Sequence, residues 1–257
     1  MDYLHEDLTA GADDNESIVF FPWRVLMSNH YESVQPASLY PDAFHVAAPA
    51  SPVGREVWQR QPGVFIRQGH PLTVEAATVD DLALRALPNR ELVAGQFGLV
   101  PSWVKSASDA KLRSSKLVNA RSETVTTSNN FRDAWINGKR CIVPMMAFQE
   151  DDWRSGKAVP TRIARVDGKP MGVAGLWENW TGADGEVITS YTLLTVSANS
   201  HALMHRYQQP GNEKRMVVIL NEGAVDAWLG ARPEKAREFM RAYPANWLTA
   251  NPIEKKH

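Results

Sequence analysis

Three polar side chains with the potential for chemistry lie beside apolar runs: Asn119, Arg121 and Glu150. Ala147 and Phe148 lead directly into Glu150, and Asn119 follows two aliphatic residues. A polar or charged side chain next to buried strand residues must be paired or must take part in binding or catalysis. Taken one at a time, these residues favour a structural ion pair, in which Arg121 would contact Glu150 or the nearby Glu123.

Two histidines offer a different kind of chemistry. His201 and His205 stand at positions i and i+4, the spacing of two metal ligands on one face of a helix, and Glu150 would be a third ligand in a zinc hydrolase. The glutamate of an HExxH motif is missing, because residues 202–204 are Ala-Leu-Met. We therefore place this metallohydrolase alternative last, and we expect no metal site.

Short strands dominate the elements that must position these groups. Alternating or β-branched apolar runs predict strands at 64–66, 72–74, 91–100, 141–144, 161–166, 169–177, 187–196 and 217–220. Helical spacing predicts helices at 129–137, 199–205, 223–229 and 233–242. Asp184-Gly185 predicts a hairpin turn between two long strands. This order predicts an α+β fold with one mainly antiparallel sheet system.

Composition restricts the setting of this chemistry. The 257 residues are 44% hydrophobic and 22% charged, as in a soluble globular protein, and the formal net charge is −1. Bulk charge therefore does not predict a nucleic-acid binder, although a local basic groove is compatible with it. The single cysteine, Cys141, excludes an internal disulfide and predicts a buried, inert thiol. With neither a membrane-length apolar run nor a signal peptide pattern, we expect a cytoplasmic monomer.

Five motifs follow one another in a specific order. They are GQFGLVPSW (95–103), NARSET (119–124), RCIVPMMAFQE (140–150), GLWENW (175–180) and SYTLLTVSAN (190–199), with His205 and RMVVIL (215–220) after them. Together they resemble the SRAP family, the SOS response-associated peptidases, also described as abasic-site processing proteins. The resemblance covers 27–229, and five motifs in order are far more specific than one. Departures fall at Phe97, where tryptophan is usual, and within 145–149.

The resemblance implies a fold and a domain boundary. SRAP proteins have a β-rich, barrel-like core edged by short helices. The family normally begins with Met-Cys, which corresponds to Met27 and Ser28 here. Residues 1–26 therefore resemble an N-terminal extension that begins at an upstream start codon, and we expect 27–257 to form a single SRAP-like domain.

The resemblance also implies a reaction that needs no cofactor. In the family, the α-amine of the N-terminal cysteine attacks the aldehyde of an abasic site in single-stranded DNA, and the thiol closes a thiazolidine. The product is a covalent DNA–protein crosslink, and an autopeptidase activity accompanies it. The implied catalytic residues are Ser28 in the cysteine's place, Glu150 as proton shuttle, His205 as a second acid–base group, and Asn119 as an orienting group.

The implied DNA contacts are Arg121, His30 and Trp103. Arg121 matches an arginine that contacts phosphate, a role suited to its bidentate fork. His30 stands where the family often has another arginine, so one phosphate contact is expected to be weaker. Trp103 is a candidate for stacking on a base, although tryptophan more often packs in a core.

Ser28 leaves several alternatives open. Its hydroxyl is a weaker nucleophile than a thiol, and it has no free amine in a chain that starts at Met1. Either Ser28 is a change from cysteine in an active parent, or the protein only binds abasic or junction DNA, or it performs a reversible reaction through the amine alone. A partner-binding module without DNA is a further alternative.

Overall fold

The computed structural model describes residues 29–70 and 88–254. The strands in these ranges are β1 (His30–Glu32), β2 (Glu56–Trp58), β3 (Pro62–Gln68), β4 (Arg90–Phe97), β5 (Asn119–Arg121), β6 (Arg140–Met145), β7 (Ala147–Asp152), β8 (Val159–Arg165), β9 (Met171–Thr181), β10 (Val187–Ser197), β11 (Arg215–Val217), β12 (Ile219–Leu220) and β13 (Leu248–Pro252). Residues 1–28, and with them Ser28 and the expected extension, lie outside the described ranges, as does the strand predicted at 72–74.

Short helices lie between the strands. They are α1 (Leu39–Phe44), α2 (Ala107–Ser114), α3 (Arg132–Ile136), α4 (Val225–Leu229) and α5 (Pro233–Ala236), with 3₁₀ turns at Met204–Arg206, Glu222–Ala224, Arg237–Phe239 and Ala245–Trp247. Within the described ranges, none of these helices has the length and apolar character needed to cross a membrane.

Five strands close into a barrel in the order β10-β4-β3-β6-β9, because β9 also pairs with β10. Four of the five pairings are antiparallel, and β4 with β10 is parallel. All six residues of β6 are buried, because this strand is part of the barrel wall and α4 covers it. The indole of Trp228 in α4 donates a hydrogen bond to the carbonyl of Cys141 at 2.8 Å. The predicted α+β class with a barrel-like, mainly antiparallel core is confirmed.

A second, fully antiparallel sheet has the order β13-β8-β7-β1-β2. Strands β6 and β7 are separated only by Met146, so nearly one continuous strand passes from the barrel into this sheet. The amide of Met146 donates to the carbonyl of Glu32 at 2.9 Å, which ties the crossing point to β1. The first two residues of β7 are thereby held against β1, while β8 pairs with β7 along its whole length.

A buried pair of tyrosines joins the two sheets. The hydroxyls of Tyr31 in β1 and Tyr191 in β10 are 2.6 Å apart, and both residues are at most 1% exposed. Phe97 packs edge-on against Tyr31 and stacks on Tyr191. Gly63 faces this pair, and a β-carbon there would overlap the Tyr191 hydroxyl. The absence of a side chain at Gly63 thus makes room for the hydrogen bond that fixes β1 on the barrel.

Each strand predicted within the described residues is found, although the bounds differ and one strand is divided. The β9–β10 hairpin turns at Asp184-Gly185 as predicted, with Gly185 at φ +86°. The strand predicted at 217–220 is interrupted, since β11 ends at Val217 and β12 begins at Ile219. Cys141 is fully buried, and burial raises the pKa of its thiol, as expected for an inert cysteine.

Three of the four helix predictions are correct in place but too long. The helix expected at 129–137 is α3, and that at 233–242 breaks after α5 into a 3₁₀ turn. The helix predicted at 199–205 is wrong, because the structure has only the turn Met204–Arg206 there. The ring Nδ1 of His201 accepts the amides of Leu203 and Met204, which takes these donors from a helical pattern.

Candidate functional site

Glu150 lies in a cleft of about 340 Å³ at the ends of β1, β2 and β7. The cleft is lined by Asn29, His30, Glu56, Trp58, Gln149, Glu150, Asp151 and Pro160. Alternation along β7 puts Glu150 on the same face as Phe148, which is fully buried, so the carboxylate points to the inner side of the sheet. Glu150 is 6% exposed and lies opposite Thr161 of β8 in the strand register. A carboxylate with little solvent access thus borders an open cleft.

His30 shares this cleft with Glu150 and is stacked on a tryptophan. The rings of His30 and Trp58 are 3.7 Å apart between centroids and only 6° from parallel. The two residues are direct partners in the β1–β2 register, so the backbone itself brings the rings together. Ser28 lies outside the described residues, and a single peptide bond joins it to Asn29 in the cleft lining.

Asn119 and Arg121 lie on β5, which runs parallel to β10. Asn119 is half-buried, whereas the side chain of Arg121 is 59% exposed and donates to Glu213 at 2.7 Å. The structural ion pair expected for Arg121 therefore exists, but its predicted partners, Glu123 and Glu150, are wrong.

Glu123 instead pairs with Arg215. This guanidinium is 3% exposed and donates to both carboxylate oxygens of Glu123 and to Glu213. Partial burial pushes the pKa of Glu123 upward, but the bonds from Arg215 outweigh burial and leave the pKa below its usual value. Glu213 thus bridges the buried Arg215 and the exposed Arg121.

His205 lies in the 3₁₀ turn after β10 and faces solvent. Its Nδ1 is 2.7 Å from the carbonyl of His201. Because a carbonyl only accepts, Nδ1 must carry the proton, and Nε2 is then the acceptor nitrogen of the neutral ring. His205 can therefore act as a base through Nε2.

His201 is engaged by backbone groups at both ring nitrogens. Nδ1 accepts from Met204 at 2.9 Å, and Nε2 lies 2.7 Å from the carbonyl of Tyr243. This arrangement leaves His201 no lone pair for a metal. Across the residues that the structure describes, no group of three or more His, Cys, Asp or Glu side chains is arranged to hold a metal ion. The His201–His205–Glu150 zinc site is therefore not formed.

The segment that carries His205 is tied to the strand that carries Glu150. Tyr207 forms a β-bridge with Asp152, and the amide of Gln208 donates to the carbonyl of Asp151 at 2.8 Å. The side chain of Gln208, which is 3% exposed, makes two hydrogen bonds to the backbone of Arg215. Hydrogen bonds thus run from β7 through Gln208 and Arg215 toward Glu213, the partner of Arg121. Glu150, His205 and Arg121 thus lie on segments that these hydrogen bonds connect.

Trp103 is not among the residues that line the cleft. It is 41% exposed, its indole donates to the carbonyl of Asn129 at 2.8 Å, and the guanidinium of Arg113 lies 4.7 Å from its ring centre. Core packing, the more common role of tryptophan, therefore does not describe Trp103.

Trp58, Glu56 and Asp151 line the cleft, and none of them was predicted from the sequence. Trp58 stands in the short run EVW between charged and proline-rich stretches, and nothing local pairs it with His30. A partly exposed Trp58 is indicated only by the polar residues Glu56, Gln59 and Arg60 near it in the sequence.

Comparison with known families decides the identity. The SRAP family, described as SOS response associated peptidase, matches residues 36–256, most of the chain. The chain belongs to the SRAP family. Among curated relatives of this SRAP protein, the abasic site processing protein YoqW of Bacillus subtilis is 30% identical over 169 residues, which are 64% of this chain and 70% of YoqW.

Vertebrate proteins and solved structures are also similar to this SRAP chain. The abasic site processing protein HMCES of Gallus gallus is 26% identical over 184 residues, and the match spans only 53% of HMCES. A crystal structure of a Bordetella bronchiseptica protein is 40% identical, with a TM-score of 0.76 over 88% of this chain and all of that one. A second, from Bacteroides thetaiotaomicron, is 26% identical, with a TM-score of 0.58 over 64% of this chain and 70% of that one.

Proposed function

We propose that this SRAP protein binds single-stranded DNA and processes abasic sites through the residue at position 28. The observation that carries the proposal is the buried Glu150 carboxylate at a cleft whose lining begins at Asn29, the residue after Ser28. Relatives named abasic site processing proteins support the substrate. The proposed setting is a DNA damage response.

The proposed reaction uses the α-amine of Ser28 once residue 28 is the N-terminus. The neutral amine adds to the C1′ aldehyde of the ring-opened abasic sugar and gives a carbinolamine. Loss of water then gives an imine, so the nitrogen–carbon bond forms while the carbonyl oxygen leaves as water. The serine hydroxyl can close only an oxazolidine, which hydrolyses more readily than a thiazolidine. The adduct of this chain is therefore reversible.

Glu150 and His205 supply the proton transfers in this proposal. Ring opening needs a proton removed from the C1′ hydroxyl and another delivered to the ring oxygen, and dehydration needs a proton delivered to the leaving hydroxyl and another removed from the nitrogen. Glu150 borders the cleft from β7, and His205 offers Nε2 as an acceptor on the segment bound to the end of the same strand. Asn119, half-buried on β5, would orient the sugar or the N-terminus.

Contacts to DNA are proposed for Arg121, His30 and Trp103. The guanidinium of Arg121 is the most exposed of these groups and is suited to a phosphate, although the ion pair with Glu213 competes for it. Trp103 would stack on a base outside the cleft. A chain that only binds abasic DNA is the second candidate, because Ser28 replaces the cysteine.

Borohydride trapping tests the amine reaction. A chain that begins at Met27, with removal of Met27 verified by intact mass, is incubated with a single-stranded oligonucleotide that carries one abasic site. We expect an adduct that borohydride traps and that dissociates without it. Glu150→Gln should slow trapping by about 10²-fold, the scale of a lost acid–base group.

Two controls accompany the trapping experiment. Glu186→Gln removes an exposed carboxylate in the β9–β10 turn and should trap at the parental rate. The chain that keeps residues 1–26 should not trap through Ser28, because its amine is then in a peptide bond. Binding without trapping would favour the binding-only alternative, and loss of all binding to single-stranded DNA would remove DNA as the substrate.

A further inference from the structure

Trp58 is held in a fixed position at the open edge of the second sheet. It ends β2, the edge strand in the order β13-β8-β7-β1-β2. The backbone amide of Trp58 donates to the side chain of Gln61 at 3.1 Å, and its indole N–H donates to Glu56 at 3.4 Å. With the ring of His30 stacked on it, the indole is oriented before any ligand arrives.

Core packing does not account for this orientation. Trp58 is 39% exposed and lies outside both hydrophobic clusters of the described residues, whereas Trp135, Trp180 and Trp228 are almost fully buried. An oriented, partly exposed indole in a cleft offers an apolar, polarisable surface to a planar ligand. The stack with His30 extends this surface by a second parallel ring.

The charges around the cleft select what can enter it. Three carboxylates, those of Glu56, Glu150 and Asp151, line the cleft beside His30. A phosphate would meet repulsion from these groups, while a nucleobase or a sugar would not. The backbone phosphates of a bound strand must then lie outside the cleft, and the uncharged parts of the nucleotides point inward.

We infer that Trp58, stacked on His30, is a platform for the nucleobase next to the abasic site. The inference rests on the proposed function, because it adds a base-binding subsite beside the sugar-binding cleft of Glu150. The missing base of an abasic nucleotide leaves its neighbour without a stacking partner, and an aromatic ring can replace it. The DNA contact proposed for His30 is then made as part of this platform, as the ring on which the indole rests.

Equilibrium binding to single-stranded oligonucleotides tests this platform. The full 257-residue chain is titrated with a strand that carries one tetrahydrofuran abasic analogue, and with strands in which the 5′ or the 3′ neighbour is also replaced by the analogue. For the unmodified protein, removing the base on one side should weaken binding by about ten- to one-hundred-fold, the range of one base–aromatic stack. Trp58→Ala should show a similar loss on the first strand and no further loss when the neighbour is removed.

Two variants separate stacking from structural support. Trp58→Phe retains an aromatic face and should recover part of the dependence on the neighbouring base. Trp247→Ala removes a tryptophan that is 46% exposed and packs on Tyr243 outside the cleft, and it should bind like the parent. A purely structural role for Trp58 would lower the melting temperature and leave the dependence on the neighbouring base unchanged, which would overturn the platform.

The test distinguishes this inference from the proposed function. If the unmodified protein binds abasic strands but is indifferent to both neighbouring bases, the platform is wrong and the proposed function stands. If the unmodified protein binds no single-stranded DNA, the proposed function fails and the platform fails with it.

Discussion

Replacing Tyr31 with phenylalanine should destabilise the protein by about 1–3 kcal/mol. The 2.6 Å hydrogen bond between the Tyr31 and Tyr191 hydroxyls lies where neither residue is more than 1% exposed. Tyr31→Phe removes one hydroxyl and leaves that of Tyr191 desolvated beside Phe97, so the cost is that of a buried unsatisfied group. Replacing both tyrosines removes both hydroxyls and should cost less than the sum of the single changes.

Urea unfolding followed by tryptophan fluorescence measures these differences. Tyr40→Phe is the matched control, because Tyr40 is 0% exposed and its hydroxyl has no hydrogen-bond partner among the described residues. Its replacement should be neutral or stabilising. Equal stability of Tyr31→Phe and Tyr40→Phe, or strictly additive effects of the two changes at the joined pair, would refute the role given to this hydrogen bond.

Three further predictions concern pH, backbone conformation and charge. Burial raises the pKa of both joined tyrosines, so their contribution to stability should be complete below the pKa of unfolded tyrosine, about 10, and should be lost as the pH rises above that value. A urea midpoint that stays constant between pH 9 and about 12 would contradict this. Gly98→Ala should lower the free energy of unfolding by at least about 1–3 kcal/mol, measured by thermal or urea unfolding, because Gly98 has φ +114° and a β-carbon would overlap the Ser114 carbonyl. Gly223→Ala is the control and should be nearly neutral, because a β-carbon there would lie in open space. Arg121→Ala should weaken binding to single-stranded DNA and reduce the slope of log binding constant against log salt concentration by about 0.7. Glu213→Gln should strengthen binding by up to about fivefold, because it releases Arg121 from its ion pair. A salt slope that Arg121→Ala leaves unchanged would exclude a phosphate contact.

Local patterns predicted most of the strands because alternation and turn residues act over a few positions. The β9–β10 hairpin is an example, since Asp184-Gly185 and the runs on either side specify both turn and pairing. Closure of the barrel through the parallel β4–β10 pair joins segments about 90 positions apart, and no local pattern specifies it. That part of the prediction came from the family resemblance.

The candidate site could likewise be predicted from the sequence only in part. Glu150 was found because a carboxylate after a buried strand is conspicuous, but the partner of Arg121 was not, since Glu213 is distant in sequence. The stack of His30 on Trp58 depends on the β1–β2 register, which the proline-rich stretch between these strands conceals. The helix expected at 199–205 does not form because the His201 ring accepts hydrogen bonds from the amides of Leu203 and Met204, a local side-chain contact that the spacing of apolar residues does not reveal.

We propose that this fold supports the abasic-site chemistry implied for the SRAP family and lacks only the thiol at position 28. The most direct measurement is the mass of a chain that begins at Met27 with Ser28→Cys, after incubation with abasic single-stranded DNA and heating. We predict a heat-stable adduct of protein plus DNA, formed about 10²-fold more slowly with Glu150→Gln. If the free N-terminal cysteine is verified and no adduct forms, then more than the thiol separates this chain from a crosslinking protein, and the proposed chemistry is wrong.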